Sequence, residues 1–370
     1  MFGVRSKQMI APIAAGETAG FRAEAQEWVR FARILLLTLW PTLAIIGSLE
    51  ATAWRTGETV SADAIARWQS EKPGRIWRGG DGRSYLGYKT ARVRLLKPDV
   101  IMLGQSRANS FSGDGLQPYT FYNAGLTAWT FKQYLRFLQL IATDGYAPRV
   151  LFFNFDYWMF SKGFDLAGVW KFYGQFPTHA EEIKFVIDEM QAHPLALIRR
   201  LPYADELKGL YAVLSGDGFR QDGTLAVRFP TADPRRLDQD GTAVGVSPVQ
   251  LGPTFDSEQV QAFEQFVEFA HEKNIRLIGI QVPFYAKILD GLNTDPRAGI
   301  WREFRSDASK AYFESKGVIF FDFADMPEYR DMPEHFIDSI HPDPRIFRDI
   351  LLRVLKDPRV KEILPSAQSG

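Results

Sequence analysis

Val100-Ile101-Met102-Leu103-Gly104-Gln105-Ser106-Arg107 is the stretch that decides the fold. Its apolar run ends at a glycine, which reads as a buried strand over 99–103. Gly104 is expected to permit a sharp turn, and a helix is expected to start near Ser106. In an open parallel sheet, ligands gather at the carboxyl ends of the strands, and Ser106 lies just past such an end. A helix N-terminus there would offer free N–H groups and a partial positive charge, both favourable to an oxyanion.

Working outward, the same alternation continues. A short strand is expected over 120–122. Trp129, Tyr134, Leu135, Leu138 and Ile141 recur at helical spacing within 128–142, and a buried strand follows over 149–155. Later, Asp256 or Ser257 caps a helix running to Lys273. A strand follows over 275–282, a helix over 301–316, a strand over 318–321 and a closing helix over 345–355. Strands alternating with helices predict an α/β domain with a mainly parallel sheet in three layers, spanning 98–360. Residues 160–250 break the rhythm and read as an insertion after the third strand. It holds helices over 180–191 and 203–214 and a turn at Asp222-Gly223. Residues 54–97 read as a membrane-proximal approach, with Ser61 capping a short helix through Trp68 and Gly74, Gly79, Gly80 and Gly82 marking loops. The tail, 361–370, is expected to be disordered.

Composition removes several classes of function. The chain has 370 residues, 44 Lys plus Arg against 44 Asp plus Glu, and no cysteine. A balanced charge without a basic stripe gives no footprint for nucleic acid. Thiol catalysis, disulfides and Cys-ligated metal are excluded. The 5 histidines form no paired-ligand spacing, so neither a metal nor a cofactor is expected.

Residues 34–49, ILLLTLWPTLAIIGSL, carry no charge. A span needs about 20 apolar residues, so 34–53 reads as a transmembrane anchor, with Pro41 tolerated inside it. Trp28, Trp40 and Trp54 suit the interfaces. Arg22, Arg30 and Arg33 precede the run and Arg55 follows it. That bias places 1–33 in the cytoplasm and the main domain outside, in the periplasm or its equivalent. A cleaved leader ending near Ala51-Thr52-Ala53 and a buried core helix are the competing readings.

The chemistry lies at the two ends of the α/β domain. A serine hydroxyl is a poor nucleophile at neutral pH without a base in hydrogen-bond reach. Asp338-Ser339-Ile340-His341 supplies the base, His341, and a carboxylate, Asp338, to orient it and stabilise the imidazolium. Aromatic residues after the third strand, namely Trp158, Phe160, Trp170, Phe172 and Tyr173, read either as sugar-stacking surfaces or as packing. Arg107 could meet an anionic acceptor or pair with a carboxylate.

Gly104-Gln105-Ser106, Asn123-Ala124-Gly125, Asn154 and Asp338-x-x-His341 resemble, in order and spacing, the four blocks of the SGNH (GDSL-type) hydrolase superfamily. The resemblance covers about 98–156 and 275–355. It implies Ser106 as nucleophile, with Asp338 and His341 completing the triad. It also implies the Gly125 N–H and the Asn154 side chain as oxyanion donors. The chain departs from the pattern at Gln105, where the family often has Asp, and at Phe153-Asn154-Phe155-Asp156 in the third block. Asn123 or Asp156 then competes with Asn154 for its place. Among SGNH proteins the chain is most similar to the membrane-anchored envelope branch, which O-acetylates exopolysaccharides or puts D-alanine on teichoic acids. That likeness implies a membrane-bound O-acyltransferase partner and a cell-envelope glycan or polymer as acceptor. The expected activity is acyl transfer through an acyl-Ser106 intermediate. Arg107, Asn123, Asp156 and Trp158 are expected near the substrate. An acyl esterase with the same triad and a non-catalytic envelope scaffold remain open.

Overall fold

The computed structural model describes residues 15–80, 84–143, 145–164, 177–226 and 251–367. The chain divides into two units, Met1–Thr52 and Ala53–Gly370. Five strands form the main sheet of the second unit: β1 (Val100–Gly104), β2 (Phe121–Gly125), β3 (Val150–Asn154), β4 (Arg276–Gln281) and β5 (Val318–Asp322). Their spatial order is β2-β1-β3-β4-β5, and every neighbouring pair is parallel. The chain leaves β1 toward one edge and returns on the other side as β3. A crevice therefore opens at the carboxyl ends of β1 and β3, the switch point where such sheets bind ligands.

Strand side chains alternate between two faces, so successive β1 residues enter different cores. Ile101, Leu103, Leu151, Phe153 and Leu277 belong to one core, and Val100, Met102, Val150, Phe152, Ile278 and Ile280 to the other. Helices follow in chain order. The apolar helix α1 (Ala15–Thr56) leads to α2 (Ala62–Glu71), α3 (Ser84–Leu96) and α4 (Phe131–Ile141). The helices α5 (His179–Ala192), α6 (Pro194–Arg200) and α7 (Leu210–Ser215) lie in the insertion. Then come α8 (Ser257–Glu272), α9 (Ala286–Thr294), α10 (Gly299–Phe304), α11 (Asp307–Ser315), α12 (Pro344–Lys356) and α13 (Pro358–Ile363). Helices α3, α4, α8, α10 and α11 fill the first core; α12 and α13 fill the second. Helices thus cover both faces of the sheet. Phe155 sits among aromatic rings of the first core, stacked on Phe263 at 5.5 Å. Replacing so buried a phenylalanine by alanine costs about 3–5 kcal/mol.

The structure departs from the pattern-based reading at several points. Only a 3₁₀ turn, Ser106–Ala108, follows β1, so the expected helix and its dipole are absent there. Gly104 is needed for space: a Cβ there would lie 2.8 Å from both Ala108 Cβ and Asn154 Cβ. The expected helix over 301–316 is two helices, because Ser306 caps α11 by accepting the Ser309 N–H. The expected helix over 203–214 is interrupted by the strand Leu207–Lys208 and by Gly209 at φ 86°. Helix α3 has no apolar face to mark it in the sequence, and α9 has no side-chain cap at its start. The chain past 361 continues α13, buries Leu364 and packs Ile363 and Ala367 on the second core, so the order extends to 367; 368–370 lie outside the described residues.

The insertion is tied to the core rather than appended to it. Ile76–Trp77, Leu207–Lys208, Gly218–Phe219 and Leu225–Ala226 form a second, four-stranded sheet. Its hairpin turns at Asp222-Gly223 and docks on β2, the edge of the main sheet. Asn123 N–H donates to Asp222 O at 2.7 Å, and Leu225 N–H donates to Asn109 O at 3.1 Å. From α3, Lys89 Nζ donates to Gly223 O and Asn123 O, at 2.6 and 2.7 Å. Burial holds its ammonium well below the usual lysine range. An otherwise open sheet edge is closed this way.

Helix α1 begins in the first unit and, within Glu24–Thr56, holds an 18-residue run of mean hydropathy 1.7, long and apolar enough to cross a membrane. At about 1.5 Å per residue the whole helix extends about 63 Å, roughly twice the thickness of a bilayer core. The helix runs on through Pro41 and exceeds the expected 34–53 at both ends.

Candidate active site

Two loops converge at the carboxyl end of β1. Gln105 leaves the strand in extended conformation, and the 3₁₀ turn then lifts Ser106. Across from it, the loop before α12 folds on itself. Asp338 Oδ1 accepts the N–H groups of Ile340 and His341, each at 2.9 Å. Ile337 N–H donates to His341 O at 2.8 Å. Asp338 and His341 thus sit three residues apart in a tight loop. His341 Nδ1 lies 2.7 Å from Asp338 Oδ2 and 2.8 Å from Oδ1. His341 Nε2 lies 2.7 Å from Ser106 Oγ. Burial works to raise the Asp338 carboxyl, but the hydrogen bond and charge of His341 outweigh it, with help from the two backbone donors. The carboxyl is held below its ordinary value.

The three side chains line a pocket of about 190 Å³. Arg107, Asn109, Ser110, Leu225, Ile337, Pro342 and Phe347 complete the wall. Leu225 comes from the insertion hairpin, so the insertion does shape the site.

Under the pocket lies a buried polar network. Arg107 donates from Nη1 to Asp156 Oδ1 and from Nη2 to Val282 O at 2.7 Å and Pro283 O at 2.9 Å. Its Nε donates to Ile340 O at 2.9 Å. The guanidinium stacks over Phe284 at 4.1 Å and Trp158 at 5.2 Å. Asp156 also accepts from Gln105 at 2.8 Å and from Gln281 at 3.0 Å. Burial pushes the Asp156 carboxyl up to about 6, against the opposing pull of Arg107. The same burial lowers the Arg107 guanidinium. Arg107 therefore ties the nucleophile turn, the end of β4 and the histidine loop into one body.

Of the four side chains expected near the substrate, Arg107 lines the pocket and pairs with a carboxylate, whereas Asn123, Asp156 and Trp158 are not among the pocket residues. Arg107, 1 % exposed, and Asp156, 0 % exposed, spend their polar atoms on each other and on the backbone. Trp158 is packed under the guanidinium. Asn123 is fully buried, and its Nδ2 donates to Ala108 O at 2.8 Å and Phe111 O at 2.7 Å, pinning the loop after Ser106. Two oxyanion expectations also meet different surroundings. Gly125 N–H already donates to Asn123 Oδ1 at 2.7 Å. Asn154 is buried beneath the turn, with Nδ2 3.5 Å from Ile280 O, and is not among the pocket residues. Of the other aromatic residues, Phe160 is core packing; Trp170, Phe172 and Tyr173 lie outside the described residues.

Asn109 and Ser110 are polar pocket residues that pattern reading missed. Residues three apart on a 3₁₀ turn eclipse each other, so Asn109 stands on the Ser106 side. Its Oδ1 is buried without a hydrogen-bond partner among the described residues. The N–H groups of Ser106 and Arg107 lead the turn and have no acceptor within it, since its bonds run from Ala108 N–H and Asn109 N–H. Among the described residues no cluster of His, Asp or Glu suits a metal ion. No protein-family model matches the chain, and no curated protein matches it.

Proposed function

We propose that this chain is an extracytoplasmic, serine-dependent acyl-transfer enzyme of SGNH type. It would move an acetyl or D-alanyl group onto a hydroxyl of a cell-envelope glycan or polymer. The observation that carries this reading is the 2.7 Å contact between Ser106 Oγ and His341 Nε2, with Asp338 on the other imidazole nitrogen. His341 takes the Ser106 proton as Oγ attacks the carbonyl of an ester or thioester donor. The oxyanion forms toward the leading N–H groups of the 3₁₀ turn and the Asn109 carboxamide. Collapse breaks the bond to the leaving group, which receives the proton from His341. An acceptor hydroxyl then gives its proton to His341 and attacks the acyl-Ser106; the acyl–Oγ bond breaks, and Ser106 Oγ takes that proton back from His341.

The small pocket suits a short acyl group. An N-terminal helix able to span a membrane would keep the site beside the bilayer, where a membrane-bound O-acyltransferase partner would present exported acyl groups. The experiment is mass spectrometry of the full chain in detergent with an activated acetyl ester, with and without an acceptor glycan. An acetyl adduct on the Ser106 peptide that is discharged to glycan supports transfer. Discharge to water alone makes the chain an esterase, and no adduct at Ser106 overturns the acyl-enzyme reading.

A further inference from the structure

Apart from Trp54, the most exposed apolar side chains of the second unit among the described residues lie on the insertion. Leu195 and Ile198 are 67 % and 71 % exposed on α6, and Tyr203 and Tyr211 follow at 56 % and 41 %. Residues three apart share one helix face, so Leu195 and Ile198 project together, while Leu197 turns inward at 5 % exposure. Helix α6 is thus held by one buried side chain and offers two apolar ones to its surroundings. Pro194 at its first turn sets where it begins. Arg199 and Arg200 occupy its last turn, and no ion pair joins either to a carboxylate among the described residues.

The same segment is bonded to the end of α1. Arg55 pairs with Asp205 at 2.8 Å, Gly209 N–H donates to Thr56 O at 2.6 Å, and Lys208 Nζ donates to Arg55 O at 2.8 Å. Trp54, in that last turn, is 67 % exposed. Wherever the apolar helix leaves a bilayer, residues 205–209 are therefore close at hand, and α6 packs on the turn that leads into them. Leucine and isoleucine on one face, tyrosine and tryptophan rings beside them and two arginines form the chemistry of a segment lying in a lipid headgroup layer.

We propose that α6 and the turn after it dock on the membrane surface. Leu195, Ile198 and Tyr203 enter the headgroup layer, and Arg199 and Arg200 meet lipid phosphates. The contact would hold the second unit against the bilayer at a second point and limit its swing about the anchor. It rests on reading α1 as a span and is independent of the acyl chemistry.

The absence of cysteine makes the test clean. Ile198→Cys, with Lys361→Cys on α13 as an exposed reference, is labelled with an environment-sensitive fluorophore. The full chain is placed in nanodiscs of phosphatidylcholine and phosphatidylglycerol. The expected result is severalfold stronger quenching at 198 than at 361 by lipids carrying a headgroup-level spin label, and weaker quenching by aqueous iodide. Equal iodide quenching at both positions overturns the proposal, because 198 then faces water. Shielding from both quenchers also overturns it, because a protein surface then covers α6. Extraction of the full chain from bilayers by alkali removes the span reading and this proposal with it.

Discussion

The two loops that meet in the pocket are held in different ways. The turn carrying Ser106 continues a buried strand and is wedged between β2 and β3, where Gly104 touches Asn154 and the Asn123 amide grips the carbonyls of Ala108 and Phe111. The loop carrying His341 belongs to no sheet. It is shaped by its own Asp338 and joined to the nucleophile side by the Ser106–His341 contact and by Arg107 at Ile340 O. One half of the site is thus positioned by packing and the other by a few polar bonds. Substitutions on the histidine side should therefore disturb geometry with the fold intact, and those under the serine side should disturb both.

The largest effect tests whether the loops act as one machine. His341→Ala should lower acyl-enzyme formation by about 10⁴-fold or more with an unchanged thermal transition; stopped-flow measurement of adduct formation checks this. Asp338→Asn keeps the shape of the loop but loses the charge that stabilises the imidazolium, and about 10²–10⁴-fold should be lost in kcat. Asn109→Ala should cost about 10²–10³-fold in kcat with KM little changed, since an oxyanion donor acts in the transition state. A loss confined to KM would make Asn109 a ground-state contact. Arg107→Lys keeps a charge but cannot bridge Asp156, Val282 and Ile340 together. It should slow turnover by about 10–100-fold through misplacement of His341, and Arg107→Met should cost about 3–5 kcal/mol by leaving Asp156 buried without its partner. Urea unfolding separates the two.

The smallest effect concerns proton linkage. The Asp156 carboxyl goes from an ordinary 3.8 to about 6 in the fold. Between those values the folded chain holds a proton that the unfolded chain has released, so stability should fall as pH rises from about 4 to about 6. Asp156→Asn should remove that part of the slope, which denaturation at several pH values would show.

The parallel sheet was legible because the chain advertises it. Apolar runs such as 100–103 and 150–153 end abruptly, and α8 and α12 are strongly two-faced. The meeting of Ser106, Asp338 and His341 was legible because strand ends in a parallel sheet collect on one side. What surrounded them was less so. Whether Ser106 begins a helix or a 3₁₀ turn depends on the close approach of Ala108 to Gly104 and Asn123, which are tertiary contacts. Arg107, Asp156 and Trp158 have the side chains of substrate contacts and differ from them only in burial, which neither spacing nor composition reveals. Asn123 and Asn154 spend their amides inward for the same reason. The hairpin at 218–226 reaches the site through backbone bonds to Asn109 and Asn123, which carry no side-chain signature.

Fluorophosphonate labelling of the full chain, read by intact mass and peptide mapping, tests the central claim most directly. The expected outcome is one phosphonyl group on Ser106, formed in the wild type and absent from Ser106→Ala and His341→Ala. A wild type that stays unlabelled under conditions where its pocket is open to solvent, or one labelled at another residue, would contradict it.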